Sequence, residues 1–488
     1  MTDLKKTVVN GVIWQISGRY SALIIQFFVT IVLARILSPA DYGTIAILNV
    51  FIVISTLLVD SGFGQALIQK GNANNRDFST IFYFNLFFSF LLYFLLFFML
   101  PEIGSFYDNL DLSYYGKILF LVIPISSIGI VQNTRLQQSM KFRDLSIIQI
   151  LSALISGFVG VYMAYNNYGI MSLVYHSITL NISKTILLLL FNRWMPIYGF
   201  SFKTIKELLP FSFSLLSTDF VKVIFNNIYT LVIGKAYSAE SVGYYNQATR
   251  LQELSGNTIL DVIINVTFPA LVKIKNDMTK VKEVYSQILQ TVIILISPLM
   301  FILILLANEI IELVLSSKWL PAVPYFQILC VYSLTLPLHL ISVNILKIYG
   351  KGKSIFKLEL IRRILLIIAI VITFKISISA LLIGQVFAML PMIIISMSIS
   401  GKIINFSFIE QIKEVAPYYL FSLLSFFIVY LLSKYLLINS LIIYIITITF
   451  IFMLFYILLN ILFPTKYVRN NARQIIQTLK NKSKTKRK

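Results

Sequence analysis

Arg19, Asp60, Asp219, Lys222, Arg250 and Glu253 stand inside long apolar runs of this 488-residue sequence, and Lys184 stands in another. A charged side chain at bilayer depth costs about 2.5 to 3.5 kcal/mol even on a lenient insertion scale, so such groups normally face a polar cavity or one another. The chemistry open to them is electrostatic: cations can hold an anionic headgroup, and carboxylates can pair with those cations or exchange a proton or sodium ion. Asp219 with Lys222, and Arg250 with Glu253, are spaced three residues apart and share a helix face. Arg19 and Asp60 fall at similar depth in their runs and could pair, while Lys184 is close enough to the end of its run to snorkel.

Catalytic constellations are missing by comparison. Gly352, Lys353 and Ser354 resemble the end of a phosphate loop, but Lys347 occupies the position of the required glycine. There is no HExxH, GxSxG or GxGxxG pattern, and His176 and His339 stand alone in apolar runs. The sequence therefore predicts no enzyme, no metal centre and no bound cofactor, with a coupling H⁺ or Na⁺ as the one ion in view. Cys330 is the single cysteine and can form no internal disulfide.

The elements that must position these residues are membrane helices. The chain is 58% hydrophobic and 12% charged, about half the charged fraction of an ordinary globular protein. Some 14 spans follow from hydropathy, from residues 11–36 to 440–463, including 43–69, 244–272 and 355–375. Phe78 to Leu100, Val284 to Asn308, Ile376 to Gly401 and Tyr435 to Phe463 contain no charged residue. The absence of alternating polarity argues against a membrane barrel. With Lys5 and Lys6 inside, 31 of the 41 cations fall on the cytoplasmic side, Arg362 and Arg363 among them, and six fall outside. Both termini are thus expected in the cytoplasm. The net charge of +21 is spread along that rim, where topology and anionic lipid account for it without nucleic acid.

Residues 30–43 and 230–243 superpose at an offset of 200: Thr30, Val32, Ser38 and Gly43 recur as Thr230, Val232, Ser238 and Gly243, with Arg35 facing Lys235. The expected organisation is a bundle of six helices over 1–200, a parallel repeat over 201–401, two added helices over 402–464 and a basic cytoplasmic tail over 465–488. Parallel repeats place a site near the midplane, reached from alternate sides.

LARILSPADYG at 33–43, DSGFGQALIQ at 60–69 and GYYNQATRLQEL at 243–254 resemble the signatures of bacterial polysaccharide export flippases, the O-antigen and oligosaccharidyl-lipid branch of the superfamily that also contains multidrug extruders. The resemblance implies a V-shaped, all-α pair of bundles around a cationic cavity in the bacterial inner membrane. Its implied cargo is an undecaprenyl-pyrophosphate-linked repeat unit for capsule, O-antigen or lipopolysaccharide synthesis. Arg19, Lys184, Lys222 and Arg250 would hold the headgroup, and Asp60, Asp219 and Glu253 would couple or pair. Polysaccharide polymerase and glycosyltransferases are the implied protein partners, and a cation-coupled multidrug exporter is the alternative on the same scaffold. An outward-moving pyrophosphate would gain about 2.3 kcal/mol per uncompensated charge per 100 mV.

Overall fold

The computed structural model describes residues 2–469 apart from 257–259, 261–266, 437 and 466. Every regular element among the described residues is helical. Twelve helical stretches among the described residues are long and apolar enough to cross a membrane. The chain divides into two compact units, Met1–Asn246 and the residues from Gln247 onward.

The first unit contains α1 (Thr2–Ile36), α2 (Pro39–Asp60), α3 (Phe63–Lys70), α4 (Asn75–Phe106), α5 (Asp111–Leu119), α6 (Val122–Gln138), α7 (Phe142–Tyr165), α8 (Met171–Asn192) and α9 (Phe202–Ala236), and the start of α10 (Ala239–Ser255) up to Asn246. Helix α9 belongs here by packing, since it lies against α2 and α3. The repeat expected from the sequence began its second copy at 201, so kinship of sequence and compactness of packing mark different boundaries.

The 200-residue offset recurs in the helix ends themselves. Helix α1 stops at Ile36 and α9 at Ala236, while α2 starts at Pro39 and α10 at Ala239. Ser38 Oγ accepts the Asp41 amide at 3.2 Å, and Ser238 Oγ accepts the Ser241 amide at 3.1 Å, so both starts use the same serine cap. Where the two starts meet, neither glycine tolerates a Cβ. One added at Gly43 would sit 1.5 Å from the Ala239 carbonyl oxygen, and one at Gly243 would sit 1.9 Å from that of Pro39. The contact is reciprocal backbone on backbone, which only glycine permits.

The predicted single span 43–69 is two helices. Ser61 and Gly62 both adopt positive φ, at 47° and 75°, and this stops α2 at Asp60 and restarts the chain as α3 at Phe63. Phe63 is 1% exposed and anchors the restart in a core with Leu67, Phe78, Phe82, Val131 and Trp194. Lys70 ends α3 in a double ion pair, at 3.1 Å from both Asp77 of α4 and Glu207 of α9. Arg135 of α6 lies over the rings of Phe78 and Trp194, at 4.9 and 5.2 Å, and donates to Asn75 at 3.0 Å.

The second unit holds α11 (Met278–Leu305), α12 (Ala307–Val314), a 3₁₀ turn (Ser317–Ala322), α13 (Val323–Ile348), α14 (Gly352–Thr373), α15 (Ile378–Ile404), α16 (Phe408–Ser433) and α17 (Leu441–Leu462). Ser297 and Ser422 join α11 to α16 in its interior, and Ile302, Val429, Ile448 and Phe452 form an apolar cluster with α17. Tyr285 hydrogen-bonds both Ser342 and Gln411, at 3.0 and 2.8 Å, linking α11, α13 and α16.

Candidate functional site

The break between α2 and α3 gives the first unit its polar interior. Asp60 is the last residue of α2, and its carboxylate accepts the Gly64 amide at 3.4 Å across the break. A Cβ at Gly64 would approach Thr134 Oγ1 to 2.9 Å and Asp60 Oδ1 to 3.2 Å, so glycine there keeps α3 close to α6 and leaves the carboxylate room. Interrupted helices are a recurrent device for placing polar groups at membrane depth.

Beside this break lies a cavity of about 550 Å³ between α2, α3, α6 and α8, with Val223 of α9 on its wall. Its polar lining includes Asp60, Gln65, Asn133, Gln137, Asn181 and Lys184. A smaller cavity of about 120 Å³ adjoins it between α1, α6, α7 and α8 and adds Gln15 and Gln149. Asn133, Gln137 and Lys184 line both, so the lysine stands where the two spaces meet.

The lysine is the fourteenth residue of the 22-residue α8, with both cavities at its side chain. Its side chain makes no ion pair or hydrogen bond among the described residues, and the same holds for the side chains of Gln65, Asn133 and Gln137. Other lining groups are already engaged: Thr134 and Asn181 donate to backbone carbonyls of their own helices at 3.0 and 2.9 Å, and Thr185 donates to Ile125 of α6 at 3.1 Å. The cavity therefore presents one cation and several carboxamides to whatever enters it.

The other expected site residues fall differently. Asp219 of α9 acts electrostatically on Asp60, which places a second carboxylate near the break. Lys222, next to the cavity residue Val223, is itself exposed, and no Asp219–Lys222 ion pair forms among the described residues. The pair of Arg19 and Asp60 does not form either: Arg19 is exposed on α1 and lines neither cavity. Equal depth fixed their level along the membrane but not the direction in which each helix turns its side chain. Arg250 and Glu253 belong to the second unit and act on each other electrostatically. Asp261, in the expected span 244–272, lies outside the described residues.

Residues 32–324 match the family model described as polysaccharide biosynthesis protein. The chain belongs to this family. The teichuronic acid biosynthesis protein TuaB of Bacillus subtilis strain 168 is 26% identical over 334 residues, covering 68% of this chain and 69% of its own. The lipopolysaccharide biosynthesis protein WzxC of Escherichia coli K12 is 24% identical over 373 residues, 76% of either chain. Among solved structures, the lipid II flippase MurJ in an inward closed conformation superposes with a TM-score of 0.71 at 19% identity, covering 93% of this chain and 98% of that one. At that identity the likeness is one of fold.

In this polysaccharide biosynthesis protein the matched region spans both glycines of the crossing and the whole of the larger cavity. It ends before a second charged group, which lies in the expected span 355–375 and was not singled out among the candidate site residues. Arg362 and Arg363 were tallied with the cytoplasmic cations although they fall in that span, and they are the eleventh and twelfth residues of the 22-residue α14. Glu359 binds both: Arg362 engages both carboxylate oxygens, at 2.5 and 3.2 Å, and Arg363 reaches Oε1 at 3.1 Å. Tyr332 and His339 of α13 lie within electrostatic range of Arg362. The cluster's signal in the sequence was the i, i+3, i+4 spacing of Glu359, Arg362 and Arg363 within an otherwise apolar stretch.

Proposed function

We propose that this protein carries an undecaprenyl-pyrophosphate-linked repeat unit from the cytoplasmic to the outer leaflet. In general terms it is a multi-pass inner-membrane flippase for lipid-linked oligosaccharide in surface polysaccharide biosynthesis. The observation that carries the finer reading is the polar interior of the first unit. A chain whose helices face lipid has lined a space of about 550 Å³ with amides and with a lysine whose side chain makes no ion pair or hydrogen bond among the described residues. Such a lining is costly in a membrane unless polar cargo or water uses it.

The full crossing count we propose is 14. Twelve apolar candidates are joined by α14 and by the segment that begins with α10, both of which carry charge. An even count puts both termini in the cytoplasm. Transport then proceeds by alternating access, with Lys184, Arg19, Lys222 and Arg250 as the candidate cations for the anionic headgroup, which comprises the pyrophosphate and any charged sugar of the repeat unit. Asp60 and Asp219 near the helix break are the candidate sites for a coupling H⁺ or Na⁺. Polysaccharide polymerase and glycosyltransferases would act on either side of the step.

Deleting the gene is expected to accumulate the lipid-linked repeat unit in the inner membrane, and complementation with the wild-type chain to clear it. A Lys184→Ala chain, present at wild-type level in the membrane, should restore surface polysaccharide at least about tenfold less well, as loss of one charge-assisted bond to cargo implies. No accumulation on deletion, or protection against cationic drugs with normal glycan export, would overturn the reading.

A further inference from the structure

We propose that the cavity of the first unit is a saccharide subsite selecting a sugar that carries a single carboxylate. This rests on the flippase reading and names the part of the cargo that the cavity takes. The volume of about 550 Å³ is within the range of roughly 300 to 1,000 Å³ in which small molecules are enclosed.

Hydrogen-bond chemistry separates sugar from phosphate. Phosphate oxygens at neutral pH chiefly accept, whereas a hydroxyl both donates and accepts. Gln65, Asn133 and Gln137 each bring a carbonyl acceptor beside an NH₂ donor, with none of it spent on the protein among the described residues. A pyrophosphate would leave those carbonyls facing negative oxygens, acceptor against acceptor, with no hydrogen bond between them. A ring with neighbouring hydroxyls satisfies both ends of each amide.

Charge balance sets how much negative charge can enter. Lys184 contributes one cation and Asp60 one carboxylate to the same lining. A dianion would find one cation and one repelling group; a monoanion can pair with Lys184 while its hydroxyls donate to Asp60. The lysine also lines the smaller cavity, where Gln15 and Gln149 supply further amides, so the carboxylate end is oriented toward that side. Val53, Leu57 and Ile130 offer an apolar wall to the C–H face of the ring.

The test uses the full-length protein in nanodiscs, with glucuronic acid, glucose and sodium pyrophosphate as probes and saturation-transfer NMR as the readout. Glucuronic acid is expected to bind more tightly than glucose. Lys184→Gln should weaken glucuronic acid by about tenfold, the effect of one charge-assisted hydrogen bond, and leave glucose unchanged. Gln137→Leu should weaken both sugars. Should either variant elute as aggregate, competition between the three probes on the wild-type chain decides the matter. Pyrophosphate displacing glucuronic acid from the wild-type protein at lower concentration than glucose does would overturn the proposal, as would absence of saccharide binding or a Lys184→Gln chain with unchanged preference. Lipid-linked glycan accumulating on deletion while no sugar binds would sink this inference alone; no accumulation would sink the flippase reading, whatever binds.

Discussion

Lys70 shows how a single residue can fix the frame around the cavity. It touches Asp77 and Glu207 at 3.1 Å each, and the Asp77 side chain is only 6% exposed, held also by Thr204 at 2.7 Å and by the amide of Asn74. Lys70→Ala would leave that carboxylate with hydrogen bonds but no countercharge, a loss of about 1 to 3 kcal/mol. A lower melting temperature of the purified protein, with Glu207→Gln costing less because Glu207 is more exposed, is the expected result by thermal unfolding monitored with fluorescence. An unchanged melt for Lys70→Ala would show that the clasp carries no stability. At this scale the sequence revealed which residues were out of place and little of what they touch. Asp60 and Lys184 were legible as ionisable groups in apolar runs, but their sharing one cavity depends on the turn at Ser61 and Gly62, which a hydropathy window averages away. Arg362 and Arg363 follow Lys351, Lys353 and Lys357 closely enough to have been tallied with the cytoplasmic cations, although the expected span 355–375 and helix α14 both run through them.

At the scale of elements, the meeting of α2 and α10 explains why the same pattern recurs 200 residues apart. The four identities between 30–43 and 230–243 were legible, and so was the expectation that each marked a helix end. That the two copies touch through Gly43 and Gly243 was not, because periodicity reports which way a helix faces and not which helix it faces. Each glycine now predicts the same outcome. Gly43→Ala would drive a methyl into the Ala239 carbonyl, and Gly243→Ala would do so at Pro39, so the starts of α2 and α10 must separate. The cost expected from overpacking of this kind is about 1 to 3 kcal/mol for either change. Because both substitutions open the same contact, the double variant should melt close to the worse single variant instead of adding the two losses. Full additivity in the same unfolding assay would mean that the two glycines serve separate contacts. Gly350, where nothing lies within 4 Å of an added Cβ, is the control position for crowding, its φ of 65° being a local turn matter.

The whole molecule is where hydropathy was strongest and where its one ambiguity can be tested. Long apolar helices are read from composition because lipid forces backbone groups to pair within the segment, and twelve of them satisfy length and apolarity without reference to any partner. Polar helices escape that filter. Helix α14 carries Glu359, Arg362 and Arg363 near its middle, yet its 22 residues suffice at 1.5 Å per residue to cross a hydrocarbon core of roughly 30 Å. Mutual pairing lowers the cost of those charges, since Glu359 accepts from both arginines. If α14 crosses, Gly350 and Ser377 lie on opposite sides of the membrane; if it lies along the surface, they share a side and every later segment inverts. Fusions of green fluorescent protein and alkaline phosphatase after each of these residues distinguish the two arrangements. We expect the Gly350 fusion to fluoresce and lack phosphatase activity, and the Ser377 fusion to do the reverse. A third fusion, after Phe463 and ahead of the basic tail, should fluoresce, in keeping with the cation count that places that end inside. Fluorescence after both Gly350 and Ser377 would remove α14 from the crossing count and with it the even parity on which a cytoplasmic carboxyl terminus depends.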